Sequence, residues 1–300
     1  MCQLIWLDPM PLEEDIGKAY ISYYTHDAPQ IEPQGQLGLV RRSYRLLKQS
    51  YLADRYDYDT GVGKGVAGSL GKLLYLIPQR RRRVDEEVRF LHWTPQGRLL
   101  DVGCGSGLWL LLIAQLGWQV EGVDFDEQSV SIARQQGLSV HLGSLEQQNF
   151  PSGSFDALTL SHVIEHVPDP VRTIAECVRI LKPGGQIVIY TPNASSLGHH
   201  LFKQHWRGLE PPRHLHLFGP ASMRTLLDRA GFNQISIRAR NSLHIWKQTF
   251  GLWAQSFGAR RGFPKLAASP GPYLFTFLEA CWRILKPKAG EWLSVTGRKG

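Results

Sequence analysis

The chain has 300 residues, 43 % hydrophobic and 20 % charged, with a formal net charge of +8. This composition excludes a disordered or fibrous chain and allows one large or two modest domains around a sizeable core. Cys2, Cys104, Cys177 and Cys281 lie far apart without a CxxC pair, which excludes a disulfide framework and a zinc cluster and points to a reducing, cytoplasmic setting.

No secretory leader is expected from the opening residues, and no uncharged apolar run reaches the roughly 18 residues of a spanning helix. Residues 1–94, rich in Tyr, Arg and Gly, read as a mostly helical N-terminal cap. Within it "RRRRVDEE" (80–87) sets acids directly behind arginines, the pattern of a solvated helix face. A regular alternation follows over 95–240. "RLLDVG" (98–103) reads as a buried strand, "LWLLLIAQLG" (108–117) as a helix, and "QVEGVD" (119–124) as a strand. A helix at 126–137, a strand at 139–144 and a strand at 154–162 come next. "DPVRTIAECVRILKPGG" (169–185) predicts a helix with Asp169 as N-cap, Pro170 at its first position and Gly184 past its end. "QIVIYTPN" (186–193), "PASMRTLLDRAGF" (220–232) and "QISIRAR" (234–240) add strand, helix and strand. The fold class is α/β, a Rossmann-like doubly wound sheet. Residues 241–290 are an apolar helical insertion or lid, and 291–300 supply a final strand through "EWLSVTGRK".

The stretch "LLDVGCGSGLWL" (99–110) concentrates the chemistry. Its turn joins the first strand of the sheet to its first helix, where doubly wound folds bind ligands. Glycines there let backbone N–H groups approach a ligand at the positive end of a helix. Asp124 ends the next strand, where a carboxylate can take ribose hydroxyls. Gly103, Gly105 and Gly107 form GxGxG, with Leu108 where a dinucleotide fingerprint needs glycine, and no Walker lysine follows. An acid-headed GxGxG suits S-adenosyl-L-methionine, with Asp101 placed to favour its ammonium group.

"LLDVGCGSG", "VEGVDFD", "FPSGSFDALTLSHVIEHVPDP" and "RILKPGGQIVIYTPN" occur in that order. Through them residues 98–240 resemble class I S-adenosylmethionine-dependent methyltransferases, nearest the group of ubiquinone-biosynthesis O-methyltransferases. The resemblance implies a seven-stranded sheet whose last strand is antiparallel. It implies that Asp101, Gly103, Cys104, Gly105 and Gly107 hold the methionine part and Asp124 the ribose. Phe125 would lie on the adenine face, Ser144 and Leu145 at its edge, and Ser161 and His162 beside the sulfur. "YISYYTH" (20–26) and "WRGLEPPRHLHLF" (206–218) resemble a narrower bacterial subset, in which the segment like 2–11 follows a zinc ribbon. Cys2 lacks partners for one, and no zinc is expected there.

Seven of the 11 histidines fall between 162 and 216. His162, Glu165 and His166 share one face of a helical turn. The expectation is His162 as general base, with His166 and His214 as further catalytic candidates and no metal. The second reading places a divalent metal among His162, Glu165, His166 and a later histidine, His214 or His216. "EPPRHLHLF" (210–218) reads either as an acceptor-binding loop or as an edge with one histidine in and one out. "HHLFKQHW" (199–206) reads as a solvent-facing loop rather than an RNA contact, so nucleic acid is not an expected partner. "YLFTFLEACWRILKP" (273–287) reads first as a packed lid helix and second as a peripheral contact with the inner face of a membrane. The expected activity is methyl transfer to a small-molecule acceptor, most readily a hydroxyl of a phenol, quinol, sugar or lipid-linked compound. A non-catalytic cofactor-binding protein and a nicotinamide-dependent oxidoreductase are the alternatives.

Overall fold

The computed structural model describes residues 4–20, 39–62, 69–256 and 269–300. Cys2 and most of "YISYYTH" lie outside the described residues. Two compact units interleave along the chain, one formed by 24–159 with 179–188, the other by 1–23, 160–178 and 189–300. A seven-stranded sheet runs in the order β4-β3-β2-β5-β6-β9-β8. Its strands are β2 (Arg98–Val102), β3 (Gln119–Asp124), β4 (Ser139–Leu142), β5 (Phe155–Ser161), β6 (Leu181–Pro192), β8 (Phe232–Arg240) and β9 (Trp292–Lys299). β2, β3 and β4 are parallel, with Leu100 opposite Glu121 and Val123 opposite His141. β9 pairs antiparallel with β8, so the last strand takes the antiparallel place that the resemblance implies. The strand order reverses at β2, which puts the glycine turn at the switch point of the sheet.

In the unit containing β2 to β4, helix α1 (Leu39–Tyr56) approaches a 3-10 segment (Gly71–Leu76) so closely that a Cβ on Gly71 would lie 2.5 Å from the Tyr51 nitrogen. Helix α2 (Pro78–Glu87) exposes Arg80, Arg82 and Arg83, as its charge pattern predicts, and buries Asp85. Tyr51 and Tyr56 both donate to Asp85 Oδ1, at 2.6 and 2.8 Å. Helix α3 (Leu108–Ala114) follows β2, and α4 (Glu127–Gln135) follows β3 with Asp126 capping the Ser129 N–H.

Helix α5 (Pro170–Ile180) starts as predicted, Asp169 accepting from the N–H groups of Val171 and Arg172. It stops before the predicted end, because the chain is captured by the entry to β5. The carbonyls of Arg179 and Ile180 accept from Gly153 and Ser154, and Lys182 Nζ donates to Asp156 Oδ2 at 2.8 Å.

The other unit departs from the sequence reading in three places. Residues Ile5–Trp6 form a short strand, β1, paired antiparallel with β7 (His216–Leu217), within a segment expected to be mostly helical. Residues 199–206 are not a solvent-facing loop. Helix α6 (Leu197–Phe202) leads to Trp206, which is buried with Leu217 and Ile245, while His199 stacks on it at 4.8 Å. His214 and His216 do not alternate in and out, since both are buried. The cause is a helical-type bond from the His214 N–H to the Glu210 carbonyl, which delays the extended conformation until His216. Helix α7 (Pro220–Ala230) ends at a left-handed Gly231, two residues before the expected end, and β8 begins at Phe232.

Helices α8 (Leu243–Ser256) and α9 (Gly271–Leu285) form the late insertion. Phe202, Trp246, Phe250 and Phe275 make an aromatic cluster between α6, α8 and α9. Among the described residues, packing takes one side of α9. Phe277, Ile284 and Leu285 are 64 %, 80 % and 78 % exposed, with Tyr273, Leu274, Leu278 and Trp282 open beside them.

Two buried carboxyl groups bind this insertion to β9. Trp246 Nε1 donates to Glu279 Oε2 at 2.7 Å, and the Glu291 N–H donates to Glu279 Oε1 at 3.0 Å. Trp206 Nε1 and the Gly198 N–H donate to Glu291, at 2.6 and 2.8 Å. Burial pushes Glu279 up to about 8, with the neighbouring Glu291 charge adding to it, and burial pushes Glu291 up to about 7. Folding therefore raises the proton affinity of both groups. Their stabilisation is complete below the ordinary carboxyl range and is lost as pH rises through about 7 to 8. Denaturant unfolding should lose on the order of 2–4 kcal/mol between about pH 5 and pH 9. Glu279→Gln should flatten that slope, and an unchanged slope would refute the assignment.

Candidate functional site

The glycine turn is built by left-handed backbone. Gly103, Gly105 and Gly107 have φ of 71°, 55° and 82°, values that residues with a Cβ rarely adopt. At Gly107 a Cβ would also lie 2.3 Å from Leu138 Cδ1. The turn is fastened to the end of β3. The N–H groups of Gly103 and Cys104 donate to the Val123 carbonyl at 2.7 and 3.2 Å, and the Gly105 N–H donates to Asp124 Oδ2 at 2.7 Å. Asp124 Oδ1 accepts from the Asp126 N–H at 2.9 Å. Burial raises the Asp124 carboxyl, while these two N–H donors oppose the rise. Burial likewise raises the Cys104 thiol, so it is no nucleophile at neutral pH.

Asp101, inside the end of β2, is already partnered. Arg89 Nη1 donates to Asp101 Oδ1 at 2.6 Å, and Thr159 Oγ1 on β5 donates to the same oxygen at 2.5 Å. Burial raises the Asp101 carboxyl, and the Arg89 charge and the Thr159 hydroxyl lower it. Arg89 sits over the Trp109 ring at 3.6 Å, and Arg89 and Phe90 both adopt left-handed backbone. Two consecutive non-glycine residues in that region mark a conformation fixed by its surroundings. The sequence reading missed Arg89, which lies in no motif. Thr159 had a signal, a polar residue inside the apolar run "DALTLS".

Phe125 is exposed beyond Asp124, as an aromatic platform requires. Ser144 caps a short 3-10 helix, its N–H donating to Gln147 Oε1 at 2.9 Å. Leu145 is 2 % exposed, so its side chain is closed to a ligand.

In the other unit, His162 follows Ser161 at the end of β5, with a left-handed φ of 58° and a part-exposed ring. Its N–H donates to the Tyr190 carbonyl, and its ring meets Trp292 at 4.2 Å. His162 Nδ1 lies 3.1 Å from Oε1 of Glu165, a fully buried carboxylate. Burial would raise Glu165, but the bond from His162 and the fields of His162, His166 and His214 lower it to about 2. Glu165 is an anion at neutral pH. His166 Nδ1 meets the Arg213 carbonyl at 3.0 Å, and His214 Nδ1 meets that of Gly208 at 2.6 Å. The structure thus brings His162, His166 and His214 around Glu165, and leaves His216 paired through β7 to Trp6.

A family profile described as "Methyltransferase domain" matches residues 76–237. The ubiquinone biosynthesis O-methyltransferase of Xanthomonas oryzae pv. oryzae (strain PXO99A) is 43 % identical over 107 residues, covering 32 % of this chain and 43 % of that protein. Its namesake in Saccharophagus degradans is 34 % identical over 133 residues, covering 42 % and 55 %. The chain therefore spans about half the length of the curated relatives it matches. Among solved structures, an S-adenosylmethionine-dependent methyltransferase from Archaeoglobus fulgidus aligns with a TM-score of 0.50 at 19 % identity, covering 75 % of this chain and 94 % of that one. The [4+2]-cyclase SpnF aligns with the same TM-score at 22 % identity, covering 74 % and 81 %. These likenesses carry the fold, and the cyclase name shows that the fold alone does not dictate the chemistry.

Removing the cation that neutralises Asp101 isolates a buried charge. Arg89→Ala should cost about 3–5 kcal/mol in denaturant unfolding. A loss under about 1 kcal/mol, the size of an exposed pair, would contradict the pairing.

Proposed function

The chain belongs to the methyltransferase-domain family, and we propose that it transfers the methyl group of S-adenosylmethionine to a hydroxyl oxygen on a small, apolar acceptor. The observation that carries this reading is the left-handed glycine turn fastened to Asp124. The turn leaves room for the methionine part where its glycines carry no side chain, and Asp124 accepts from the ribose hydroxyls. Leu108 in place of the third glycine supports this donor over a nicotinamide dinucleotide. Phe125 gives the adenine a face to lie on, and Ser161 and His162 follow at the end of β5.

Transfer breaks the sulfonium S–CH3 bond and forms an O–CH3 bond, leaving a neutral thioether and releasing the hydroxyl proton. Alignment supplies much of the rate, and an oxygen nucleophile gains further from a base. His162 is suited to that part. Glu165 Oε1 holds its Nδ1, which directs the proton to Nδ1 and leaves Nε2 to accept from the acceptor. The fields of His166 and His214 help keep Glu165 ionised. With radiolabelled donor and a panel of phenol, quinol and polyprenyl-linked hydroxyl acceptors, label should enter the organic phase. His162→Ala should slow this by roughly 10²–10⁴-fold, with S-adenosylhomocysteine affinity by calorimetry within about twofold. Full activity in that variant would remove the base.

The open face of α9 supports an acceptor met at a lipid surface. Tyr273, Leu274, Phe277, Leu278, Trp282, Ile284 and Leu285 form an exposed stripe, and the only acid of the helix, Glu279, is buried. Exposed Lys286 and Lys288 follow its end. No described helix is long and apolar enough to cross a membrane, so this is an interfacial contact. Charge complementarity selects anionic lipid. The protein should sediment with phosphatidylglycerol vesicles, less so with phosphatidylcholine vesicles, and Phe277→Glu with Ile284→Glu should abolish it. Concentration-dependent dimerisation lost in the same double variant, without vesicle binding, would assign the face to a second copy instead.

A further inference from the structure

His162 stands on three restraints, and the third is Trp292. The backbone of His162 is fixed by a left-handed φ of 58° and by its N–H, which donates to the Tyr190 carbonyl at 2.9 Å. Its Nδ1 lies 3.1 Å from Glu165 Oε1. One bond at one ring atom does not fix an imidazole, because the torsion that turns the ring about Cβ–Cγ is broad. The His162 side chain is 41 % exposed, so water competes for both nitrogens. On its flank the ring meets that of Trp292, with centroids 4.2 Å apart and planes inclined at 62°. Rings this close are in contact, and the imidazole turns only if the indole yields.

The indole is placed firmly. Trp292 is the first residue of β9 and lies opposite Arg240 of β8. Its ring packs against the cluster of Trp206, Leu217 and Ile245. The turn before it is fastened by Asn193, the last residue of the stretch "RILKPGGQIVIYTPN". The Asn193 N–H donates to the Glu291 carbonyl at 3.0 Å, and Nδ2 donates to the carbonyls of Lys288 and Gly290 at 2.8 and 2.6 Å. Gly290 lies so near β8 that a Cβ there would be 2.6 Å from the Arg240 nitrogen. A side chain anchored in this way can act as a stop for a part-exposed ring.

We propose that Trp292 is a positioning residue, which keeps the His162 imidazole turned so that Nδ1 stays on Glu165 and Nε2 stays open toward the acceptor. The inference rests on His162 acting as the base, and adds what holds that base in one tautomer. Glu165 accepts the Nδ1 proton. Trp292 opposes the turned ring, in which carbon Cδ2 would replace Nδ1 against the carboxylate. The indole takes no proton itself and acts through His162. Sequence reading made "EWLSVTGRK" a strand and nothing more, since no local pattern brings residue 292 to residue 162.

The test uses the full chain with isotope-labelled histidine, read by proton–nitrogen correlation across the imidazole rings at a pH where they are neutral. His162 signals are those lost in His162→Ala. Wild type should show one His162 tautomer, protonated at Nδ1. Trp292→Ala should mix the two tautomers, and Trp292→Phe should keep the single one. Should Trp292→Ala fail to fold by circular dichroism, Trp292→Leu, which keeps apolar bulk without a flat ring, takes its place. The tautomer measurement needs no acceptor. With a phenol or quinol that takes label, the same variant should lower kcat about tenfold or more, with acceptor KM within about twofold. An unchanged Nδ1 tautomer without the aromatic ring would overturn this inference and leave the base reading standing. Wild type protonated at Nε2 would overturn both. A raised KM at unchanged kcat would replace positioning by direct contact with the acceptor.

Discussion

The bond from the Gly105 N–H to Asp124 Oδ2 is the constraint on which the glycine turn rests. Three left-handed glycines in five residues are costly to order, since glycine loses more freedom on folding than any other residue. The cost is met locally. Asp124 grips the middle of the turn, Val123 grips its start, and bare Gly122 leaves room for Cys104, whose Sγ would lie 2.5 Å from a Cβ there. Both Asp124 oxygens are also oriented by backbone N–H groups. A carboxylate held in this way is oriented before any ligand arrives, and preorganisation of that kind lowers the cost of binding.

Glu165 has the corresponding part in the other unit. Its carbonyl accepts from the segment carrying His216, one carboxylate oxygen meets His162, and the imidazoles of His166 and His214 lie nearby. A fully buried anion is tolerated only with compensation, and here every compensating group is a histidine. The same carboxylate thus holds the ring of His162, while the fields of His166 and His214 help keep it ionised. The left-handed backbone at His162 fits this account, because strain persists where several contacts agree on one conformation.

What the sequence showed and what it concealed divide along physical lines. The parallel strands, their helices and the glycine turn were legible because each is a local pattern. Asp169 and Pro170 announced a helix start, and β9 announced itself by alternation. The end of α5 was not legible, because Lys182 and the Arg179 carbonyl are taken by residues near 153–156, a non-local contact. His214 and His216 looked like an alternating edge, since the turn bond to Glu210 leaves no mark on hydropathy. Arg89 reaches Asp101 from outside every motif, and only the folded chain brings that cation to that carboxylate.

The late insertion inverts the usual rule for an amphipathic helix, and its two glutamates explain how. A helix ordinarily docks by its apolar face. Helix α9 docks instead through Glu279, which Trp246 and the Glu291 N–H hold, and through Phe275 in the aromatic cluster. Glu291 in turn takes the indole N–H of Trp206, so two tryptophans that could not be buried unsatisfied are satisfied by carboxyl groups. Those carboxyl groups can be buried because they hold their protons more tightly than carboxyls in water. Once polar bonds anchor the helix from inside, its remaining apolar residues have no inner surface to cover. They stand outward as the stripe from Tyr273 to Leu285, where an apolar environment outside the protein is the phase that would stabilise them.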